Sequence, residues 1–204
     1  MAIARKIAAG ALIFWALVLS ACSSAPQVDR RNVSETIDLS GRWNDADSRM
    51  VSETMIADCL DRPWLEVHRD AGAGRAPTII VGRVRNRSHE HINVQTFIKD
   101  LERAMINSGQ VQFVASAEER TGIRDERIDM AANASEETMK GPGREIGADY
   151  MLIGSIQSIR DEIPGKALMY YQVNLELIDL ESNRKVWIGQ KEIKKLIERP
   201  EVRW

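Results

Sequence analysis

Hydrophobic and polar positions alternate most regularly in the segment from Met169 to Leu177. Apolar residues occupy every second position there, and Gln172, Asn174 and Glu176 stand between them. Because successive strand side chains point to opposite faces, this segment predicts a β-strand with one buried and one solvent-exposed face. Four other runs rich in apolar and β-branched residues predict further strands: Thr78–Arg85, Val111–Ala115, Tyr150–Ile159 and Val186–Ile197.

Apolar residues spaced three or four positions apart predict the helices. In the first helix, Val51, Met55 and Cys59 recur at every fourth position, and Pro63 prevents the helix from continuing. A capping-box pattern, Ser-x-x-Glu at 116–119, marks the start of the third helix. The predicted helices are Asp45–Leu60, Asn93–Asn107 and a charged helix from 116 to about Ala132, followed by a shorter helical piece at 133–148 that Gly141 and Gly143 interrupt.

The predicted order is therefore α-β-α-β-α-β-β-β. Alternating helices and strands followed by a meander of strands indicate an α/β (α+β) fold, with helices mainly on one face of a mixed β-sheet. A length of 204 residues fits one domain with a tail. Only two cysteines occur, Cys22 and Cys59, so an apolar core rather than a set of disulfides must hold the fold together.

The N-terminal segment has the pattern of a targeting sequence. Arg5 and Lys6 form a basic start, and the 13 residues Ile7–Leu19 follow without a charge. A helix needs about 20 residues to cross the hydrocarbon core of a membrane, whereas the apolar region of a signal peptide has about 7–15. We therefore predict that residues 1–21 are a signal peptide.

The stretch Leu19-Ser20-Ala21-Cys22 resembles the lipobox, the cleavage site of bacterial lipoproteins. This resemblance implies cleavage before Cys22, lipidation of its thiol and anchoring by several acyl chains. Because Ser23 rather than Asp follows the cysteine, it also implies sorting to the outer membrane. Residues 22–38 are then the lipidated cysteine and a flexible tether, and 39–204 are the globular domain. The alternative is a conventional signal peptide with a chance cysteine.

Charge and motifs argue against several classes of function. The net charge of −2 and the pI near 6.0 provide no attraction to nucleic acid. No phosphate-binding loop occurs, and no arrangement supplies a nucleophile, a base and an orienting group, so we predict neither catalytic residues nor a cofactor nor a small-molecule substrate. His89 and His91 lie in a polar loop and are interpreted as solvated residues, with a metal-dependent enzyme as the alternative.

Three basic residues are spaced by two near the end of the first predicted strand: Arg83, Arg85 and Arg87. The period of two places them on one face, together with Ile79 and Val81, so that this face begins apolar and ends cationic. Either the strand simply emerges into solvent there or its arginines pair with nearby acids, or the arginines bind an acidic partner protein or substrate polymer. Trp43, just before the first helix, is a further candidate partner contact that we expect near the arginines, because tryptophan and arginine are typical interface anchors.

Five segments of the chain resemble the LpoB family of outer-membrane lipoproteins, which activate penicillin-binding proteins. They are DLSGRWNDADSR (38–49), VGRVRNRSHEHIN (81–93), FIKDLERAMINSG (97–109), GADYMLIGSI (147–156) and KVWIGQKEIKK (185–195). The fourth segment also resembles the N-terminal domain of TolB and the CsgG-type secretion lipoproteins.

The resemblance to the LpoB family implies a regulator rather than an enzyme. Such a lipoprotein is attached to the outer membrane, faces the periplasm and binds a class A penicillin-binding protein, which is a bifunctional synthase. Preferential binding to the active state of the synthase then stimulates peptidoglycan synthesis. The alternative function, which the CsgG-like resemblance implies, is a structural or accessory lipoprotein of an outer-membrane assembly or secretion complex.

Overall fold

The computed structural model describes residues 28–72, 74–135, 137–138 and 145–198. The predicted signal peptide, Cys22 and the glycines at 141 and 143 lie outside these residues. The chain divides into two compact units, Met1–Glu35 and Thr36–Trp204. In the described part of the first unit, a turn brings the N–H of Glu35 within 3.0 Å of the carbonyl oxygen of Asn32. The second unit, called the domain below, contains every helix and strand that follows.

The described part of the domain contains four helices and five strands. The helices are α1 (Asp45–Leu60), α2 (Trp64–Ala71), α3 (Val94–Asn107) and α4 (Ala117–Asn133). The strands are β1 (Thr78–Arg87), β2 (Gln112–Phe113), β3 (Tyr150–Ile163), β4 (Lys166–Asp179) and β5 (Lys185–Glu198). Among the helices described, none combines the length and the apolar character that a membrane span requires.

The five strands form one mixed sheet in the order β2-β1-β3-β4-β5. β1 runs parallel to both β2 and β3, whereas β3, β4 and β5 form an antiparallel meander. The β3–β4 hairpin is paired from Tyr150↔Asp179 to Ile163↔Lys166 and turns at Gly165, whose φ of 80° suits glycine. The predicted α/β class with a mixed sheet is confirmed.

The core lies between one face of the sheet and the helices α1 and α3. Helix α3 contributes Phe97, Leu101 and Met105, all fully buried, and α1 contributes Val51 and Met55. The alternation predicted for β4 is present, since its five apolar positions from 169 to 177 are buried and the residues between them are half-buried. The predicted packing of helices mainly on one face is therefore confirmed for α1 and α3.

Helix α2 was not predicted from the sequence. Pro63 ends one helix and at the same time occupies the N-cap of the next, where a missing N–H costs nothing. Trp64 and Leu65 are buried, and the indole N–H of Trp64 donates to the carbonyl oxygen of Cys59 at 2.7 Å. A proline thus separates two consecutive helices, and a buried tryptophan fixes the junction.

Helix α4 begins at the predicted capping box. The hydroxyl of Ser116 accepts from the N–H of Glu119, and the Glu119 carboxylate accepts from the N–H of Ser116. No residue of α4 is buried; ion pairs of Lys99 with Glu119 at 2.9 Å and of Arg124 with Glu145 at 2.7 Å attach it to the domain. The described residues after Asn133 form no helix, so the shorter piece predicted at 133–148 is wrong there.

Two glycines on the core side of the sheet leave room for neighbouring groups. A Cβ on Gly154 would lie 2.5 Å from both the carbonyl oxygen of Asn174 and Cδ2 of Leu175. A Cβ on Gly189 would overlap the ring of Trp187, whose indole N–H donates to Asp58 Oδ2 at 2.8 Å. Both strands therefore depend on the absence of a side chain at these positions.

A segment before α1, Asp38–Arg42, is tied to β5 and is called the strap. The ammonium of Lys195 lies 2.7 Å from Asp38 Oδ1 and 2.6 Å from Asp47 Oδ2. Only 11% of the Lys195 side chain and 7% of the Asp47 side chain are exposed. Burial lowers the pKa of Lys195, but the hydrogen bonds to Asp38 and Asp47 outweigh it, so that the pKa is raised overall.

Candidate functional site

An irregularity in β1 decides which face of the sheet carries the arginines. The register of β1 against β3 shifts between Val81 and Val84. Ile79 before the shift and Val84 after it are both buried on the core side, so one extra residue reverses the alternation between them. Arg83, Arg85 and Arg87 therefore lie together on the opposite, open face. The prediction that they share the face of Ile79 and Val81 is wrong, because it assumed an unbroken period of two.

The arginines form the wall of a shallow groove on the open face, with a volume of about 510 Å³. Met151 and Ile153 of β3 form its apolar part, and Gly82 keeps β1 close to them, since a Cβ there would lie 2.9 Å from Met151 Sδ. We call this site the arginine groove; its lining residues are Arg83, Arg85, Arg87, Met151, Ile153, Gly154, Ser155, Asn174 and Glu176.

Among the described residues, the positive charge of the arginine groove is not compensated by an ion pair. The side chains of all three arginines are exposed, and no carboxylate in the described part of the chain forms an ion pair with them. Glu176, the one acid among the described lining residues, is paired with Lys185 at 2.8 Å. Guanidinium groups bind carboxylates through charge-assisted and often bidentate hydrogen bonds, so the groove fits an anionic ligand with an apolar neighbour.

The outer edge of β1 beside the groove is open over most of its length. In the described part of the chain β2 pairs only with Thr78 and Ile79, and Val114 N–H donates to Ile79 O at 3.0 Å. No described strand lies next to β1 from residue 80 to residue 87. The arginines therefore stand along an edge of β1 that no described strand occupies, called the free edge below, whose backbone groups can pair with another extended chain.

Trp43 does not lie near the arginine groove. Its ring packs edge-on against Phe97 at 6.3 Å and against Tyr171 at 5.6 Å between centroids, and both partners are fully buried on the helix-covered side. Its backbone N–H donates to Glu90 Oε2 at 3.1 Å. The expected proximity to the arginines is wrong, because Trp43 closes the core on the opposite side of the sheet. A partner contact at Trp43 remains a prediction.

His89 and His91 have different surroundings. Ser158 Oγ accepts from the N–H of His89 at 3.0 Å and lies 3.1 Å from His89 Nδ1, which fixes the loop after β1 onto β3. His91 is exposed. Within the ranges that the structure describes, no group of three His, Cys, Asp or Glu residues is placed to hold a metal ion. The loop thus has an evident structural role.

A polar cluster at the start of β3 joins α2 to the sheet. His68 Nδ1 is hydrogen-bonded to the Tyr150 hydroxyl at 3.1 Å, and Asp149 accepts from Arg75 at 3.1 Å and from the N–H of Thr78 at 2.8 Å. Burial raises the pKa of the Tyr150 hydroxyl, so the phenol stays protonated at neutral pH. These contacts hold the beginnings of β1 and β3 in place.

The thiol of Cys59 is fully buried on α1. Burial, assisted by the charge of Asp58, raises its pKa from 9.0 to about 12. Since the thiolate is the reactive form, Cys59 behaves as a small core residue at neutral pH. This agrees with the interpretation of Cys59 as part of an apolar helix face.

A family comparison decides among the classes of protein that this geometry allows. The family model for the peptidoglycan-synthase activator LpoB matches residues 47–193, which is more than half of the chain. The chain belongs to the LpoB family. The resemblance found in the sequence is thereby confirmed, and the LpoB family consists of regulatory activators of penicillin-binding proteins rather than enzymes. No curated protein matches the sequence.

Solved structures of two LpoB domains and of another lipoprotein are similar to this chain at low sequence identity. The LpoB C-terminal domain from Escherichia coli has 15% identity and a TM-score of 0.45, and the match covers 73% of this chain and 99% of that domain. The corresponding domain from Salmonella enterica has 16% identity and a TM-score of 0.42, with the same coverage. Lipoprotein GNA1162 from Neisseria meningitidis has 14% identity and a TM-score of 0.40, over 62% of this chain and 88% of that one.

Sequence reasoning missed the part of the arginine groove that comes from strands other than β1. Met151, Ile153 and Ser155 alternate with buried Leu152 on β3, so a period of two was present there. We interpreted that strand only as strongly apolar, because apolar residues occupy both of its faces. The open edge of β1 had no signal in the sequence, since it results from β2 being only two residues long.

Proposed function

We propose that the protein is an outer-membrane lipoprotein, anchored through lipidated Cys22, that binds a class A penicillin-binding protein and activates its synthesis of peptidoglycan. The observation that carries this proposal is the family match over residues 47–193. The lipobox-like stretch before Cys22 supports the anchor and the location facing the periplasm. The family match favours an activator over the alternative role in an assembly or secretion complex.

The arginine groove is the proposed contact surface for the synthase. Three exposed arginines with an apolar strip beside them provide charge for orientation and buried area for affinity. Activation then requires that the synthase state with the higher polymerisation rate binds more tightly than the other state, since a ligand shifts a population only by its differential affinity. The domain supplies this binding energy through surface complementarity, without a chemical step.

The proposal is tested with the full-length protein in detergent micelles, used to capture a class A penicillin-binding protein from solubilised envelope. We expect recovery of the synthase and faster glycan polymerisation when the protein is added. Mass spectrometry of the native protein should show residue 22 as an acylated N-terminus. An eluate without the synthase, together with an unchanged polymerisation rate, would contradict the proposed function, and an intact leader would contradict the proposed anchor.

Charge reversal tests the contact surface separately. Arg85→Glu combined with Arg87→Glu should weaken capture about tenfold, because an interfacial charge pair is lost and a repulsive one replaces it. Arg160→Glu, compared with the single variant Arg85→Glu, is the matched control, since Arg160 is an exposed arginine of β3 that does not line the groove. Equal loss of capture in both variants, at equal thermal stability, would remove the groove from the proposed site.

A further inference from the structure

We propose that the free edge of β1 accepts an extended acidic segment of the partner protein as an additional β-strand. This inference rests on the proposed function and specifies the kind of element that the partner contributes. Strand addition requires two independent features at the same place on β1. One is an unpaired sheet edge, and the other is a row of arginines with the spacing of a strand.

The first feature is the unpaired edge. Ile79, whose side chain faces the core, presents its carbonyl oxygen to the outer edge, where Val114 N–H donates to it. Side-chain direction and hydrogen-bond direction alternate together along a strand. Beyond the irregularity, Val84 again faces the core, so Val84 and Asn86 present their backbone groups to the outer edge. These groups form the template for strand addition, in which main-chain hydrogen bonds provide affinity.

The second feature is the row formed by the three arginines, Arg83, Arg85 and Arg87. Alternate residues of a strand are about 6.6–6.8 Å apart, and an added strand has the same repeat. Acidic side chains at every second position of that strand would therefore each lie opposite one arginine, at cross-strand distance. An acidic segment in a helical conformation does not match this repeat, because its side chains on one face recur at three or four residues.

The neighbouring surface defines the rest of the ligand. Met151 and Ile153 lie behind the arginines on the open face, so the methylene groups of glutamate side chains on that face can contact them. The residues between the glutamates point to the other face, where β-branched residues favour the strand. Glu176 is neutralised by Lys185 and does not repel an acidic ligand strongly. The geometry thus points to a segment in which glutamate or aspartate alternates with β-branched residues.

Synthetic peptides of equal length and equal charge test the spacing directly. The peptide TEVEVET has alternating glutamates, TVEEEVT has contiguous ones, and TEVEPET lacks one central N–H. Titrated into the full-length protein in micelles, TEVEVET should bind about fivefold more tightly than the other two, because only its charges and N–H groups match the edge. Its binding should slow hydrogen exchange at the amides of Val84 and Asn86.

Three arginine variants, and heparin as an unrelated polyanion, complete the test. Arg85→Glu should abolish the preference for TEVEVET, Arg85→Lys should retain part of it, and Arg160→Glu should leave it unchanged. Equal affinity for all three peptides and for heparin, without amide protection, would overturn the inference in favour of a general anion surface. If hydrogen exchange at the β1 amides slows as the protein concentration rises, without any peptide, the edge pairs with a second copy of the chain and the inference is overturned.

The outcomes separate this inference from the proposed function. If the protein captures and activates a synthase but no peptide protects β1, the function stands and strand addition is refuted. If TEVEVET binds as expected but no synthase is captured, the edge site stands and the proposed partner is refuted. When both hold, TEVEVET should compete with the synthase for the protein, and the absence of competition would show that the synthase binds elsewhere.

Discussion

Replacing Lys195 by methionine tests the energetics of the strap. Methionine keeps most of the apolar stem but removes the ammonium, which leaves Asp47 buried without its cation. Removing one partner of a buried ion pair costs about 3–5 kcal/mol. Asp47 still accepts from the N–H of Asn44 at 2.9 Å, and Asp38 is 45% exposed and can be hydrated. We therefore expect the lower end of this range, about 3 kcal/mol of unfolding free energy.

A double-mutant cycle isolates the contribution of the charge. Asp47→Asn removes the negative charge, while its carbonyl oxygen can still accept from the N–H of Asn44. We expect the double variant to be more stable than Lys195→Met alone by about 1.5 kcal/mol, because the uncompensated charge is gone. Urea unfolding followed by circular dichroism, with unchanged slope, measures each difference. For a domain of this size, 3 kcal/mol corresponds to a loss of about 6–12 °C in Tm.

The control for this cycle is Lys166→Met. Lys166 pairs with Glu198 at 2.9 Å, but both side chains are more than half exposed, and exposed ion pairs contribute little. Its urea midpoint should stay close to that of the wild type. The reasoning fails if Lys195→Met and Lys166→Met have the same effect, or if Asp47→Asn does not relieve the loss caused by Lys195→Met.

Three further predictions concern the core, α4 and the buried thiol. Gly154→Ala should destabilise the domain by about 1–3 kcal/mol through overpacking. Gly122→Ala, where α4 has open space for a Cβ, should stabilise it by about 0.5–1 kcal/mol. Urea unfolding measures both differences. The hydrogen bond from Lys99, together with those from the Ser-x-x-Glu cap, lowers the pKa of Glu119 to about 2, so its contribution to stability is complete above pH 4.5 and is lost as the pH falls towards 2. An NMR titration of the Glu119 carboxyl should show this midpoint in the wild type and a higher one in Lys99→Met, and an unchanged midpoint would refute the pairing. Cys59 should react with iodoacetamide at pH 8 only after urea unfolding, and mass spectrometry of its peptide measures the labelling. Labelling of Cys59 in the folded protein would contradict burial of the thiol.

The sequence was most informative where one local rule determines the structure. The alternation from Met169 to Leu177 predicted β4 correctly, because burial of one face leaves no other arrangement for a strand in a meander. The capping box at 116–119 located the start of α4. Helix α2 escaped prediction because Pro63 is compatible both with the end of one helix and with the start of another.

The candidate site required tertiary information. The positions of the arginines were known from the sequence, but the single extra residue between Val81 and Val84 reversed their face, and no periodicity shows such a bulge. Trp43 was misplaced for a similar reason, since a residue before a helix can reach either side of a sheet. The groove combines β1 with β3 and β4, and only the register of those strands brings Asn174 within reach of the arginines.

The strap has a mechanical consequence whenever the chain is pulled from its N-terminal side. Tension on the chain upstream of Asp38 reaches Lys195 through the ion pair before it reaches α1. Lys195 belongs to β5, which is registered against β4 along nearly its whole length. Part of such a load is thus passed to the sheet instead of acting on the first turn of α1 alone.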